Sequence, residues 1–307
     1  MFLRSFALLT AAAALTACSS ATTAATDSVG SAAQDRLAVS VGFYPYQFVA
    51  EAVGGEDVVV TNLTQPGGEP HDLELTPQQV VGLSTSDLVV YSRGFQPAVD
   101  AAVEQQAADR ALDVLTAVDL LEAAPHEGEG HEGEQELAGD PHVWLDPMRL
   151  ATIAQAVADE LAALAPEDAD AFQQRAADLG AELEALDGEL RTGLSTCQRT
   201  EIVTSHDAYG YLAAAYGLEQ ASVAGLTPDA EASPQRLAEV AAFARETGTT
   251  TIFFEETVSP AVAETLAREV GAVAVLLSPL EGAPETGDYV STMQTNLATL
   301  RTALDCA

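Results

Sequence analysis

Between Glu167 and Thr196 the chain has no proline and little glycine, and Phe172, Ala176, Leu179, Leu183, Leu186, Leu190 and Leu194 recur at intervals of three and four. That spacing draws one apolar stripe along a helix. About 28 residues of helix would reach about 42 Å. A rod of that length predicts a stiff connector between two folded lobes. The competing reading is a long surface helix of a single domain.

What flanks the rod supports the connector. In the first half, Leu37 to Tyr44, Asp57 to Leu63, Asp87 to Tyr91 and Ala111 to Val118 are short runs rich in Val and Leu. Helical stretches such as Pro45 to Val53 and Pro77 to Leu83 lie between them. In the second half, Glu201 to Ser205, Thr249 to Glu255 and Ala272 to Leu277 read as strands, with helices over Pro234 to Thr247 and Val258 to Val270. Strands alternating with helices argue for a parallel sheet covered on its faces. Thr76-Pro77, Asp146-Pro147, Ser233-Pro234 and Ser259-Pro260 each set a capping oxygen before a proline, a helix-start signature.

The amino terminus carries an address. Arg4 is followed by an apolar run from Phe6 to Ala17, too short to span a bilayer, and Leu15-Thr16-Ala17-Cys18 resembles a bacterial lipobox. Residues 1–17 are therefore expected to be a lipoprotein signal peptide, with Cys18 the lipidated first residue of the mature chain. Residues 18–36 read as a disordered tether. No other segment is long and apolar enough to cross a membrane. The expected location is extracytoplasmic, anchored by lipid to the bacterial cell membrane. In such a compartment the remaining cysteines, Cys197 and Cys306, read as a disulfide. The formal charge of −35, with 47 acidic residues against 12 basic ones, excludes nucleic acid as a partner.

Only five histidines occur, and three sit at seams between an apolar run and a turn. They are His71 in Gly68-Glu69-Pro70-His71-Asp72, His142 in Asp140-Pro141-His142-Val143-Trp144, and His206 in Ser205-His206-Asp207. Imidazole is the usual neutral ligand of zinc and related ions, so one metal held by ligands from distant parts of the chain is expected. The other two, His126 and His131, lie in an acidic loop over residues 122–139 that lacks apolar periodicity. They are candidates for auxiliary metal capture, or the loop is solvated and without a role.

These segments resemble the substrate-binding lipoproteins of bacterial ABC importers for zinc and manganese. Gly68 to Pro77 looks like that family's first ligand segment, Asp140 to Pro147 like its second and Ser205 to Leu212 like its third. Phe253-Phe254-Glu255 and Leu277 to Gly282 match later segments. The resemblance implies an α/β fold of two lobes with parallel sheets, joined by a long rigid helix, with the metal in the cleft between them. His71 and His142 would come from the first lobe and His206 from the second. The acidic histidine-containing insertion and a histidine as third ligand both indicate the zinc branch. Three imidazoles favour zinc, whereas manganese prefers more oxygen. The chain departs from the family at Ser278, where an aspartate usually supplies the fourth ligand. Water or one of Glu69, Glu255 and Glu281 would take its place, with Glu69 marginally preferred because it is two residues from His71. Trp144 reads as packing beside the site. Asp207 and Asp146 are placed to orient imidazoles, though helix capping explains Asp146 equally well.

The expected layout is an N-terminal lobe over 37–166, a linker helix over 167–196 and a C-terminal lobe over 197–307. The expected function is capture of a divalent ion, Zn2+ before Mn2+, by a monomer that delivers it to an ABC permease with its cytoplasmic ATPase. No catalytic residue is assigned. A zinc-dependent hydrolase is the runner-up, because three histidines and a water also describe a catalytic zinc. Against it, there is no His-Glu-x-x-His motif. A surface adhesin is a third reading and rests only on the anchor.

Overall fold

A computed structural model describes residues 36–122, 139–228 and 232–307. The signal peptide, lipobox and tether expected before Arg36, and His126 and His131, lie outside the described residues.

The first sheet is built from β1 (Leu37–Val41), β2 (Val58–Asn62), β3 (Leu88–Tyr91) and β4 (Ala111–Asp113), all parallel, in the order β2-β1-β3-β4. Its helices are α1 (Tyr44–Gly54), α2 (Pro77–Thr85), α3 (Pro97–Gln106) and α4 (Pro147–Leu164). The second sheet repeats the order as β6-β5-β7-β8, also parallel, from β5 (Glu201–Thr204), β6 (Glu219–Ser222), β7 (Thr251–Phe254) and β8 (Val273–Leu276). With it come α6 (Gly210–Tyr216), α7 (Pro234–Thr247), α8 (Ala261–Val270) and α9 (Tyr289–Leu304). In such sheets ligands gather beyond the carboxyl ends of the strands, where the strand order reverses. Here those points are the ends of β1 and β3 and of β5 and β7.

Between the two sheets in sequence runs α5 (Ala169–Leu194), 26 residues long. It buries the seven apolar residues of the stripe. Asp187 is buried with them, its carboxylate taking Arg191 Nε at 2.8 Å and the Tyr216 hydroxyl at 3.1 Å. The helix packs on α4 along its length and also on α1 and α9. One apolar core therefore runs from Val39 and Trp144 through Leu183 and Leu190 to Tyr289 and Leu300, drawing on both halves of the chain.

Three sequence boundaries shift, each for a local reason. The strand expected over Ala111 to Val118 stops at Asp113, whose carboxylate accepts Leu115 N at 3.2 Å and starts a 3-10 turn over Val114–Ala117. The run from Leu37 leaves the sheet at Val41, because Pro45 favours the first turn of α1. Helix α8 starts at Ala261 with Pro260 as its cap residue, so the start lies later than Ser259-Pro260 predicts. The other three starts are capped as expected: Thr76, Asp146 and Ser233 accept from Gln79 N, Met148 N and Arg236 N.

Cys197 and Cys306 form a disulfide across 109 residues of sequence, tying the end of α5 to the end of the chain. Closing a loop of that size stabilises by roughly 4–5 kcal/mol in the chain-entropy model. The double variant Cys197→Ser/Cys306→Ser should therefore unfold at a clearly lower denaturant midpoint, and added reductant should shift the wild type but not the variant.

Candidate metal centre

The four side chains that converge do so because four loops end at the same place. His71 lies on the loop after β2. Pro70 precedes it, and the His71 backbone N–H donates to Glu69 Oε1 at 3.0 Å. His142 opens a 3-10 turn over Val143–Leu145, set by an Asx turn in which its N–H donates to Asp140 Oδ1 at 2.9 Å. The turn is held from the other half: Trp144 Nε1 donates to the Pro279 carbonyl at 2.7 Å and the Tyr289 hydroxyl to the Trp144 carbonyl at 2.6 Å. His206 follows β5 directly, its carbonyl accepting from Thr204 Oγ1 at 2.7 Å. Glu281 lies on the loop after β8. There Asn296 grips both backbone groups of Ser278, and Ser278 Oγ accepts Leu280 N at 3.2 Å. Leu280 takes a left-handed conformation, φ 58°, which turns the chain so that Glu281 points inward.

One atom from each of His71, His142, His206 and Glu281 lies within 4.8 Å of all the others. Glu281 Oε1 stands 3.4 Å from His71 Nε2, 3.7 Å from His142 Nε2 and 3.4 Å from His206 Nε2. The Nε2 atoms of His142 and His206 are 3.4 Å apart. Four ligands at zinc bond lengths of about 2.0–2.1 Å in a tetrahedron have edges of about 3.3–3.4 Å. Three of these four distances match such an edge, the one from Glu281 to His142 is a few tenths of an ångström longer, and the donor set is N3O. Fractional exposures of 7%, 0%, 0% and 2% set all four side chains away from bulk water.

Two of the imidazoles are fixed from behind. His142 Nδ1 lies 2.7 Å from Asp140 Oδ1, and His206 Nδ1 lies 2.7 Å from Glu255 Oε2. A carboxylate on Nδ1 holds the proton there and turns the Nε2 lone pair to the centre. Glu255 is itself held by Ser205 Oγ. Asp140→Asn keeps the shape but weakens this grip, and should loosen zinc by about 10–100-fold with little change in thermal stability. Competition with a chelating dye would read the shift.

The charge balance prepares the centre for a cation. Burial works against a charged His206, but Glu255 and Glu281 on either side outweigh it and push its pKa up to about 10. Burial alone would raise Glu281, yet His71 and His206 hold it well below the usual carboxylate range. Without metal the pocket thus keeps an ionised carboxylate beside a proton that an incoming cation displaces.

Of the three carboxylates left open by the sequence, Glu281 joins the histidines. Glu255 stands behind His206. Glu69 supports the His71 backbone, its other oxygen is buried, and burial and then Glu281 raise its pKa. Asp140 and Glu255 stand behind imidazoles, in addition to the Asp146 and Asp207 to which the sequence points. Asp146 caps α4 and pairs with Arg149, and Asp207 N donates to the Gly225 carbonyl. Asp140 carries a readable signal, an aspartate two residues before a histidine. Glu255 lies far from His206 in sequence and has none. Trp144 packs beside the site, 5.2 Å from the His142 ring.

Residues 39–303 match the family described as zinc-uptake complex component A, periplasmic. The chain is 35% identical to the zinc-binding protein AdcA of Streptococcus pyogenes over 296 residues, 90% of this chain and 57% of that one. It therefore spans little more than half of that relative's length. It is 33% identical to the high-affinity zinc uptake system protein ZnuA of Bacillus subtilis, covering 93% of this chain and 92% of that one. The fold superimposes on the Zn(II)-bound ZnuA-like domain of Streptococcus pneumoniae AdcA with a TM-score of 0.72 and 33% identity, over 88% of this chain and 99% of that one.

Proposed function

The chain belongs to the zinc-uptake component A family, and from that membership we propose that it is the extracytoplasmic binding component of an ABC importer with zinc as its cargo. Its partners are a membrane permease and the permease's cytoplasmic ATPase. His71, His142, His206 and Glu281 carry the ion, with the first lobe over 37–166, the connecting helix over 167–196 and the second lobe over 197–307. The protein acts as a monomer held to the membrane through a lipid on Cys18. Among the described residues no helix is long and apolar enough to cross a membrane.

The observation that carries the reading is the buried convergence of three imidazoles and one carboxylate, an N3O donor set. Its donor set suits zinc better than manganese, which takes more oxygen ligands and higher coordination. The fourth side-chain donor also speaks against the hydrolase reading. A catalytic zinc keeps one open position for water, and Glu281 fills the fourth corner. The relatives are named for zinc binding and uptake.

Growth under zinc limitation tests the proposal. A strain lacking this protein should grow poorly in chelator-treated medium and recover with added zinc or with the wild-type gene. The His142→Ala gene should fail to restore growth although its product accumulates. Full restoration by that variant would count against uptake through this centre.

A further inference from the structure

Three imidazoles meet at the centre, and among the described residues two have a carboxylate on Nδ1, the side away from it. His142 has Asp140 and His206 has Glu255. His71 is placed through its backbone and through the residues packed on it, and these converge on the start of α3. Phe95 lies against the His71 ring, 4.2 Å between centroids. The next residue, Gln96, is 2% exposed and donates from Nε2 to the Pro70 carbonyl at 3.1 Å and to Thr64 Oγ1 at 3.0 Å. Pro70 immediately precedes His71, so the Gln96 amide holds the peptide unit from which the ligand hangs.

We propose that Gln96 is the positioning residue of His71, doing through the loop backbone what Asp140 and Glu255 do for the other two rings. The inference rests on the zinc-binding reading above.

The chemistry of the partners requires an amide here. The Pro70 carbonyl can only accept. The Thr64 hydroxyl gives its hydrogen to the Gly42 carbonyl at 2.8 Å, so it too can only accept from Gln96. Two acceptors demand a group with two hydrogens on one atom, which fixes the amide orientation with Nε2 toward the His71 loop. A glutamate would set oxygen against oxygen, and a methionine would fill the space but leave both acceptors short. The amide oxygen lies against Gly42, where a Cβ would fall 2.4 Å from Oε1. The end of β1 is therefore kept bare so that the side chain can reach across. Apart from Gln96, the Pro70 carbonyl is met by Leu73 N at a long 3.3 Å.

The test uses the whole chain and zinc itself. Gln96→Met should bind zinc about 10–100-fold more weakly than wild type, the range seen when a group supporting a metal ligand is lost. Because Gln96 would act through His71, Gln96→Met placed on His71→Ala should weaken binding no further. A second readout separates positioning from general damage. In the cobalt(II)-loaded protein, the visible bands of four-coordinate metal should fall in Gln96→Met toward those of His71→Ala. If Gln96→Met does not fold, Thr64→Val, which removes one of the two acceptors, is read by the same criteria. Wild-type zinc affinity in the variant would overturn the proposal, as would a loss that persists in full on the His71→Ala background. Failure of the wild-type chain to bind zinc would instead remove the functional reading on which the proposal rests.

Discussion

His142→Ala should lower zinc affinity by on the order of a hundredfold or more. A four-ligand structural zinc site binds with roughly 10–16 kcal/mol, so one ligand accounts for roughly 3 kcal/mol or somewhat more. His142 should stand at the upper end, because it is wholly buried. The loss also removes the imidazole partner of Asp140, leaving the backbone N–H of residue 142 as a donor to that buried carboxylate. Zinc competition against a chelator of known affinity gives the size of the effect. A loss below about fivefold, less than roughly 1 kcal/mol, would mean that His142 does not touch the ion.

Glu281→Gln keeps the shape of the fourth corner and removes its charge, so it isolates the electrostatic contribution of the carboxylate. Glu281 lies 3.4 to 3.7 Å from three imidazole nitrogens and is held ionised by His71 and His206. An amide oxygen is a weaker zinc ligand, and the pocket would meet a dication without its central negative charge. Zinc affinity should fall by on the order of a hundredfold. Glu69→Gln should change zinc affinity far less than Glu281→Gln, because the Glu69 carboxylate bonds to a backbone N–H outside the tetrahedron. Equal losses in the two variants would show that Glu69 enters the coordination shell.

The fold is legible in the chain wherever burial and periodicity coincide. The stripe through Leu183, Leu186 and Leu190 marks α5, and the unbroken apolar run from Leu88 to Tyr91 marks β3, which is buried along its whole length. Strand β6, Glu-Gln-Ala-Ser, escapes because it lies at a sheet edge and is paired through its backbone, which leaves no apolar pattern. At the centre, three histidines stand out because histidine is rare in this chain. Carboxylates are not rare, with 47 of them, so side-chain type cannot separate Glu281 from Glu69 and Glu255. What selects Glu281 is the path of its loop. Asn296 holds Ser278, Ser278 holds Leu280, and the left-handed turn at Leu280 aims the next side chain inward. None of these contacts leaves a mark in residue spacing. The serine that breaks the family pattern thus helps to shape the loop that delivers the carboxylate.

The central claim is a single buried zinc centre built from His71, His142, His206 and Glu281. Equilibrating the metal-free protein with equal zinc and manganese, and then counting metal per chain after desalting, tests it most directly. The account predicts one zinc and no manganese per wild-type chain, and no retained metal in the His71→Ala/His142→Ala/His206→Ala variant. Manganese retained in place of zinc, or equal zinc in the variant, would contradict it.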